Sequence, residues 1–134
     1  MGHTHYWERN ERVFGYDEFL EVAQACKKVC EATKASISME LDSAEPPIFT
    51  KDTIRFNGRG DEGCETFMVK RVDAEESDFC KTEKRPYDTC VTACLVILRD
   101  KLKFTISSDA KDKKKKLTGF EDAEKFVKKV LEGK

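Results

Sequence analysis

The chain has 134 residues, of which 39% are hydrophobic and 38% are charged, and its formal net charge is -1. This length and composition predict one folded domain with a strongly charged surface rather than an intrinsically disordered segment. The near-zero net charge excludes a global electrostatic attraction to nucleic acid or to anionic membranes, so any such contact would need a local patch.

Neither a membrane span nor a secretory signal is visible in the sequence. The longest apolar run, Ala93 to Leu98, falls far short of the roughly 20 residues that a spanning helix needs. The first ten residues lack the apolar stretch of a signal peptide. We therefore expect a soluble cytoplasmic protein with no membrane partner, whose six cysteines are reduced. The even number of cysteines leaves disulfide pairing as the alternative.

Hydrophobic periodicity predicts strands and helices in alternation along the first half of the chain. Alternating residues predict a strand over 3–9, and apolar residues at helical spacing predict a helix over 17–35. Residues 36–41 fit either a short strand or the frayed end of that helix. Two further alternating segments, 53–57 and 65–72, enclose a glycine-rich turn and predict a hairpin with a long tip.

The second half of the chain predicts two more helices and two more strands. Residues 78–82 fit a short strand, and 86–101 form the most apolar predicted helix, opened by a proline. Residues 103–107 alternate as a strand. A last helix is predicted to begin at Thr118, whose spacing to Glu121 matches a capping box.

These elements predict an α+β fold in a single domain over 1–134. The expected architecture is an antiparallel or mixed sheet of four to six strands, with three helices packed mainly on one face. The other face of the sheet would be open to solvent or to a partner.

Polar residues on apolar strand faces mark the first candidate site. His3, His5 and Trp7 share one side of the first predicted strand, and Glu65 shares a side with Phe67. A carboxylate at the edge of a core is costly without a partner, so Glu65 needs either a partner or a function. Two imidazoles and a carboxylate could hold a divalent metal, but this spacing does not specify one, and no metal or cofactor is assigned. The alternative is an exposed strand end.

A basic cluster precedes the helix predicted over 86–101. The unpaired N–H groups and the dipole of a helix N-terminus favour an anion. Lys81, Thr82 and Arg85 are therefore predicted to bind a phosphate or a carboxylate. Cys80, beside a lysine and near that helix end, could be a reactive thiol. The alternative is a solvated basic loop next to a buried, inert cysteine.

Four of the cysteines form two pairs at helical spacing. Cys26 and Cys30 lie on the apolar stripe of one predicted helix, and Cys90 and Cys94 lie on that of another. We interpret them as small apolar residues that fill a helix interface. The alternative is a four-thiolate metal site between the two helices.

The chain also contains three motifs in a fixed order: GHTHYW at 2–7, FNGRGDEGCETF at 56–67 and FCKTEKRPYD at 79–88. Together they resemble a family of short microbial proteins without an assigned activity. The resemblance implies that the motif residues form one site, and it supplies no reaction. The residues so grouped are His3, His5, Trp7, Asn57, Glu65, Thr66, Lys81, Thr82, Tyr87 and Asp88.

The sequence as a whole predicts a domain that binds a small ligand of anionic or phosphate type, with a hydrolase-like enzyme as its catalytic form. The residues assigned to acid, base or metal contacts are His3, His5, Glu65 and Asp88. The residues assigned to ligand binding are Trp7, Asn57, Thr66, Lys81, Thr82, Arg85 and Tyr87. The alternative is a non-catalytic module that binds protein or single-stranded nucleic acid through an open sheet face, with Thr4, Tyr6, Arg55 and Lys70 as contact residues.

Overall fold

The coordinates are a computed structural model, and they describe residues 3–109, 114 and 119–133. The strands in this part of the chain are β1 (Thr4–Glu8), β2 (Ile37–Ser38), β3 (Ile48–Phe49), β4 (Thr53–Gly58), β5 (Phe67–Lys70), β6 (Ser77–Lys81) and β7 (Thr105–Ser108). The helices are α1 (Tyr16–Thr33), α2 (Asp88–Leu102) and α3 (Glu121–Glu132). The α+β class with three helices is confirmed.

The strands form two antiparallel sheets instead of the single sheet expected from the sequence. Sheet A has the order β6-β1-β7. In sheet B the central strand β4 pairs with β2, β3 and β5. The hairpin of β4 and β5 is confirmed. The other two partners of β4, the strands β2 and β3, come from the segment just before it. β1 instead pairs with strands that lie much later in the chain, so the two sheets remain separate.

Trp7 connects the cores of the two sheets. It is 5% exposed, and its ring packs against Phe67 of sheet B with 5.0 Å between the centroids. Phe67 in turn packs against Phe56 on the neighbouring strand, at 5.2 Å. Such aromatic contacts bury large areas and fix the relative position of the two sheets. Trp7, which the sequence grouped with the site, is therefore a core residue.

α1 covers the core with one apolar face. Its buried residues recur at helical spacing: Phe19, Val22, Ala23, Cys26, Val29 and Cys30. Acidic residues occupy its first turn, where they complement the helix dipole. The helix ends where Lys34 adopts a left-handed conformation with φ of 59°, and its N–H caps the carbonyl of Glu31.

α2 is the central helix of the domain. It contacts α1, α3 and β7, and every residue from Cys90 to Leu98 is buried. Each fully buried aliphatic side chain of this kind contributes about 1.5–3 kcal/mol, so α2 supplies much of the hydrophobic stabilisation. α3 is amphipathic, with Ala123 and Val127 buried against the domain. The predicted start of this helix at Thr118 lies outside the described residues.

The loop between β4 and β5 depends on two glycines. A Cβ atom on Gly58 would lie 2.1 Å from the backbone oxygen of Glu62, and one on Gly63 would lie 2.3 Å from the backbone oxygen of Gly58. Both distances are far below van der Waals contact. The two glycines therefore permit a close crossing of two backbone segments next to the end of β4.

No helix in the described part of the chain is both long and apolar enough to cross a membrane.

Candidate functional site

His5 is a buried histidine in the middle of sheet A. Its side chain is 1% exposed. The strand register places it opposite Cys80 of β6 and Ser108 of β7. Because strand residues alternate in direction, His5 lies on the same side as Trp7, towards the core. Its ring also packs against Phe120, with 5.9 Å between centroids. A polar ring in such a position needs hydrogen-bond partners.

Both ring nitrogens of His5 have such partners. Nδ1 lies 2.8 Å from Oγ of Ser108, and Nε2 lies 2.6 Å from Oδ1 of Asp88. A carboxylate only accepts hydrogen bonds, so Nε2 carries a proton and donates it to Asp88. In the neutral ring, Nδ1 then accepts from the hydroxyl of Ser108. The imidazole is thereby held in one orientation between β7 and the start of α2.

The carboxylate of Asp88 receives two hydrogen bonds on one oxygen. Oδ1 accepts from Nε2 of His5 and from the hydroxyl of Thr82. Oδ2 has no partner among the described residues, and the side chain is 25% exposed. Burial disfavours the charged form, but the hydrogen bonds from His5 and Thr82 outweigh it and lower the pKa of Asp88. Asp88 is therefore an ionised acceptor with one oxygen available to a ligand.

His5 and Asp88 line a cavity of about 500 Å³ between sheet A, α2 and α3. Its polar lining also includes His3, Thr89, Thr92, Glu121 and Asp122, and Phe126 provides an aromatic part of the wall. The described residues that line it thus include three carboxylates and two imidazoles but no lysine or arginine. The cavity is lined by acidic groups around a rigid histidine–aspartate pair.

Three of the four residues predicted for acid–base chemistry meet at this cavity. His3, His5 and Asp88 all line it, and Glu65 does not. His3 is held there through its backbone, because its carbonyl accepts the N–H of Thr82 at 2.8 Å. This contact joins the N-terminal end of β1 to Thr82, whose hydroxyl donates to Asp88.

The two cations predicted to bind an anion do not line this cavity. Nζ of Lys81 lies 3.2 Å from one carboxylate oxygen of Glu83, and Nη2 of Arg85 lies 3.9 Å from the other. Glu83 and Lys84 have positive φ angles of 51° and 60°, so the chain turns sharply after Thr82. The turn separates the Thr82 hydroxyl from the cations that the sequence grouped with it.

Glu65 holds the two sheets together. Its N–H donates to the carbonyl of Lys81 at 3.0 Å, and its carboxylate accepts the N–H of Lys81 at 2.7 Å. Its carbonyl accepts the hydroxyl of buried Tyr87 at 2.6 Å and the thiol of Cys80 at 3.3 Å. These four contacts join the segment before β5 to β6 and to the start of α2. The partner that the sequence required for Glu65 is therefore the backbone of Lys81.

Replacing Tyr87 with phenylalanine should lower the free energy of unfolding by about 1–2 kcal/mol, because the carbonyl of Glu65 loses its short hydrogen bond and keeps only the weak one from the Cys80 thiol. Denaturant unfolding followed by circular dichroism measures this change. Tyr6→Phe is the matched control, since Tyr6 is 44% exposed and its hydroxyl has no hydrogen bond within the described residues. Equal stability of the two variants would contradict the role assigned to the Tyr87 hydroxyl.

Asn57 closes the loop between β4 and β5. Its Nδ2 donates to the carbonyl of Cys64 at 3.0 Å and to the hydroxyl of Thr66 at 3.2 Å. Its Oδ1 accepts the N–H groups of Gly58 and Cys64 at 2.7 and 3.0 Å. With four partners, this fully buried amide is satisfied within the protein. Asn57 and Thr66 therefore shape the loop and do not line the cavity.

The residues predicted for an open-face interaction module lie on two different sheets. Thr4 and Tyr6 belong to β1, whereas Arg55 and Lys70 belong to sheet B. The guanidinium of Arg55 is paired with Glu40 at 2.5 Å. The four residues therefore do not form one basic sheet surface.

The cysteines are free thiols. Cys80 is fully buried, and burial raises its pKa to about 12. This supports the interpretation of Cys80 as an inert thiol over that as a reactive one. The two helical pairs meet between α1 and α2, where Sγ of Cys30 lies 3.7 Å from Sγ of Cys94. Within the described residues, no group of three or more histidine, cysteine, aspartate or glutamate side chains has an arrangement that could hold a metal ion.

Sequence reasoning missed Ser108 and the contribution of α3. Phe104 and Ile106 were recognised as alternating, and continuing that alternation by one step would have placed the Ser108 hydroxyl on the same side of the strand. Glu121 was interpreted only as the capping-box partner of Thr118, and Asp122 was not singled out. Their position at the cavity depends on how α3 packs, which no local pattern specifies.

The fold and the site define an α+β domain with an acid-lined cavity built around a buried histidine–aspartate pair. Comparison of the chain with protein-family models, with curated proteins and with solved structures found no match.

Proposed function

We propose that the domain binds a small organic cation, a ligand with a protonated amine or guanidinium group, in the cavity lined by His5 and Asp88. The observation that carries this proposal is the state of the Asp88 carboxylate. One oxygen is fixed by His5 and Thr82, and the other has no partner among the described residues. A charged donor on a ligand would supply the missing hydrogen bond, and charge-assisted hydrogen bonds are the strong ones.

The charge of the cavity wall favours a cation over the anion expected from the sequence. Glu121 and Asp122 line the cavity together with Asp88. An anionic ligand would have to lose water next to the carboxylates of Asp88 and Asp122, which is unfavourable. Lys81 and Arg85, the cations proposed for that role, are paired with Glu83 outside the cavity.

The size and shape of the cavity set the class of ligand. Its volume of about 500 Å³ lies within the range of roughly 300–1,000 Å³ that is typical of small-molecule sites. The ring of Phe126 lines one part of the wall, and an aromatic ring offers a favourable contact to a cation. A ligand with an amine at one end and an apolar portion beside it would match both features.

A hydrolase acting on the same class of cation is the second candidate. It is favoured by the hydrogen-bonded row of Ser108, His5 and Asp88, which has the residue types of a hydrolytic triad. Ser108, however, is 3% exposed and does not line the cavity. Asp88 would have to activate water instead, and its lowered pKa makes it a weak general base. Binding therefore explains this geometry better than hydrolysis does.

A thermal-shift screen tests the proposal with putrescine, spermidine and agmatine as cationic probes, and with acetate, inorganic phosphate and nucleotides as anionic probes. We expect the cations to stabilise the protein, by about 2.7 kcal/mol at 100 times their dissociation constant. Asp88→Asn, which keeps an oxygen for His5 and removes the charge, should weaken binding about tenfold or more. Glu21→Gln removes an exposed charge on α1 and should bind as the unchanged protein does.

Two outcomes would contradict the proposal. One is stabilisation by phosphate but not by amines, with the effect lost in Lys81→Ala. The other is amine binding that persists in Asp88→Asn. Consumption of an amide or ester of these amines, abolished in Asp88→Asn, would favour the hydrolase.

A further inference from the structure

Four thiols meet between α1 and α2, away from the cavity at Asp88. The i, i+4 spacing places Cys26 and Cys30 on one face of α1, and Cys90 and Cys94 on one face of α2. These faces pack against each other, and all four side chains are at most 1% exposed. The closest approach is between Cys30 and Cys94, whose sulfur atoms lie 3.7 Å apart. The interface is therefore a contiguous group of thiols and not a set of isolated small residues.

Cys30 connects this group to a second cavity. That cavity has a volume of about 470 Å³ and lies between the C-terminal half of α1 and the segment that contains Pro46, Pro47 and Phe49. Its lining is apolar where Pro47 and Phe49 contribute, and the charged residues Lys27, Glu31 and Lys34 also line it. Cys30 is one of the residues that line this cavity, although it is only 1% exposed.

The neighbouring thiols stabilise a thiolate on Cys30. Burial opposes ionisation, but hydrogen bonds from Cys90 and Cys94 outweigh it and lower the pKa of Cys30. Burial and the interaction with Cys26 and Cys30 raise the pKa of Cys94. Within the cluster, ionisation is therefore easier at Cys30 than at Cys94, whose sulfur lies 3.7 Å away.

We propose that Cys30 and Cys94 form a redox-active dithiol that reduces small apolar hydroperoxides entering through this cavity. The Cys30 thiolate attacks the terminal oxygen of the hydroperoxide, the S–O bond forms and the O–O bond breaks. The departing alkoxide takes the proton of Cys94 and leaves as an alcohol. Cys30 is now a sulfenic acid.

The second step closes an interhelix disulfide. The Cys94 thiolate attacks the sulfur of the Cys30 sulfenic acid, and hydroxide leaves and takes the proton released when Cys30 ionised, which gives water. The sulfur atoms move from 3.7 Å to the roughly 2.05 Å of a disulfide. Two thiols and one hydroperoxide thus give one disulfide, one alcohol and one water. An external dithiol restores the reduced pair by exchange.

The experiment treats the reduced full-length chain with one equivalent of cumene hydroperoxide and measures peroxide loss together with the tryptic peptide map. Trypsin separates all of the cysteines in this sequence except Cys90 and Cys94. Cys26 falls in peptide 13–27, Cys30 in 29–34, Cys64 in 60–70, Cys80 in 72–81, and Cys90 and Cys94 in 85–99. We expect a disulfide that joins 29–34 to 85–99 in the unchanged protein, with fragmentation placing it at Cys94. This measurement uses the protein without any substitution, so its outcome does not depend on whether a variant folds.

Two variants assign the roles of the sulfur atoms. Cys30→Ser should slow peroxide loss about tenfold or more, because it removes the attacking thiolate. Cys94→Ser keeps a hydroxyl beside Cys30, so it should slow the first step without abolishing it, and the reaction should stop at the Cys30 sulfenic acid, which dimedone traps on peptide 29–34. Cys64→Ser is the control, since Cys64 lies outside the cluster and is only partly buried, and it should react as the unchanged protein does. Oxidation confined to Cys64, or peroxide loss unchanged in Cys30→Ser, would overturn the proposal.

Discussion

Replacing Asp88 with alanine is expected to lower the free energy of unfolding by about 3 kcal/mol at neutral pH, because two buried donors lose their acceptor at once. These donors are Nε2 of His5 and the hydroxyl of Thr82, both on residues that are at most 1% exposed. Urea unfolding at constant temperature measures the change. Asp122→Ala is the matched control, because Asp122 lines the same cavity with an exposed side chain and should change stability by no more than about 0.5 kcal/mol.

The effect of Asp88→Ala should also depend on pH. The folded protein lowers the pKa of Asp88, whereas an aspartate in the unfolded chain has a pKa of about 3.9. The stabilising contribution is therefore fully present above the unfolded pKa and is lost as the pH falls through the folded pKa. The stability difference between the two proteins should be constant above about pH 5 and shrink steadily below about pH 4. A difference of the same size at pH 3 and pH 7 would contradict this account.

Replacing Gly58 with alanine is expected to destabilise the domain by about 3 kcal/mol, because the added methyl group meets backbone atoms that have no side-chain freedom to yield. Its Cβ would lie 2.1 Å from the carbonyl oxygen and 2.5 Å from the carbonyl carbon of Glu62. The loop must open to accept it, and this strains the four hydrogen bonds of Asn57. Thermal and urea unfolding measure the loss.

Gly15→Ala provides the control for the same chemical change. At Gly15 the nearest atom to an added Cβ is the Cβ of Glu18, at 3.9 Å, and the φ angle of -64° suits any residue. This substitution should be neutral or raise stability by up to about 1 kcal/mol, through the lower entropy of the unfolded chain. If both variants lost the same stability, the close crossing at Gly58 would not be the cause.

The sequence predicted the parts of the fold that depend on local periodicity. The strand containing His5 and Trp7, the apolar stripe of α1 and the hairpin of β4 and β5 all follow from side-chain spacing alone. The helix over 86–101 begins only at Asp88, two residues later than predicted. Strand β3 was missed because it is two residues long and directly follows a pair of prolines.

The candidate site was only partly predictable, because its formation depends on contacts between distant segments. Alternation correctly grouped His5 with the core face, but its partners Asp88 and Ser108 are 83 and 103 residues away. The cluster of Lys81, Thr82 and Arg85 suggested an anion site from composition. The left-handed turn after Thr82, which sends the cations to Glu83 and the hydroxyl to Asp88, depends on tertiary contacts that override the usual preference of its residues.

The central position of β1 in sheet A has a consequence for synthesis of the protein. β1 leaves the ribosome about 100 residues before its partner β7, a delay of about 5–20 s at ordinary translation rates. During that time the strand carries a large apolar ring and unpaired backbone groups, and it cannot complete its sheet. Pairing between such distant segments is slow and exposes the nascent chain to aggregation. A chain that stops before residue 105 therefore lacks one of the two neighbours of its central strand, and with it the serine that orients the histidine.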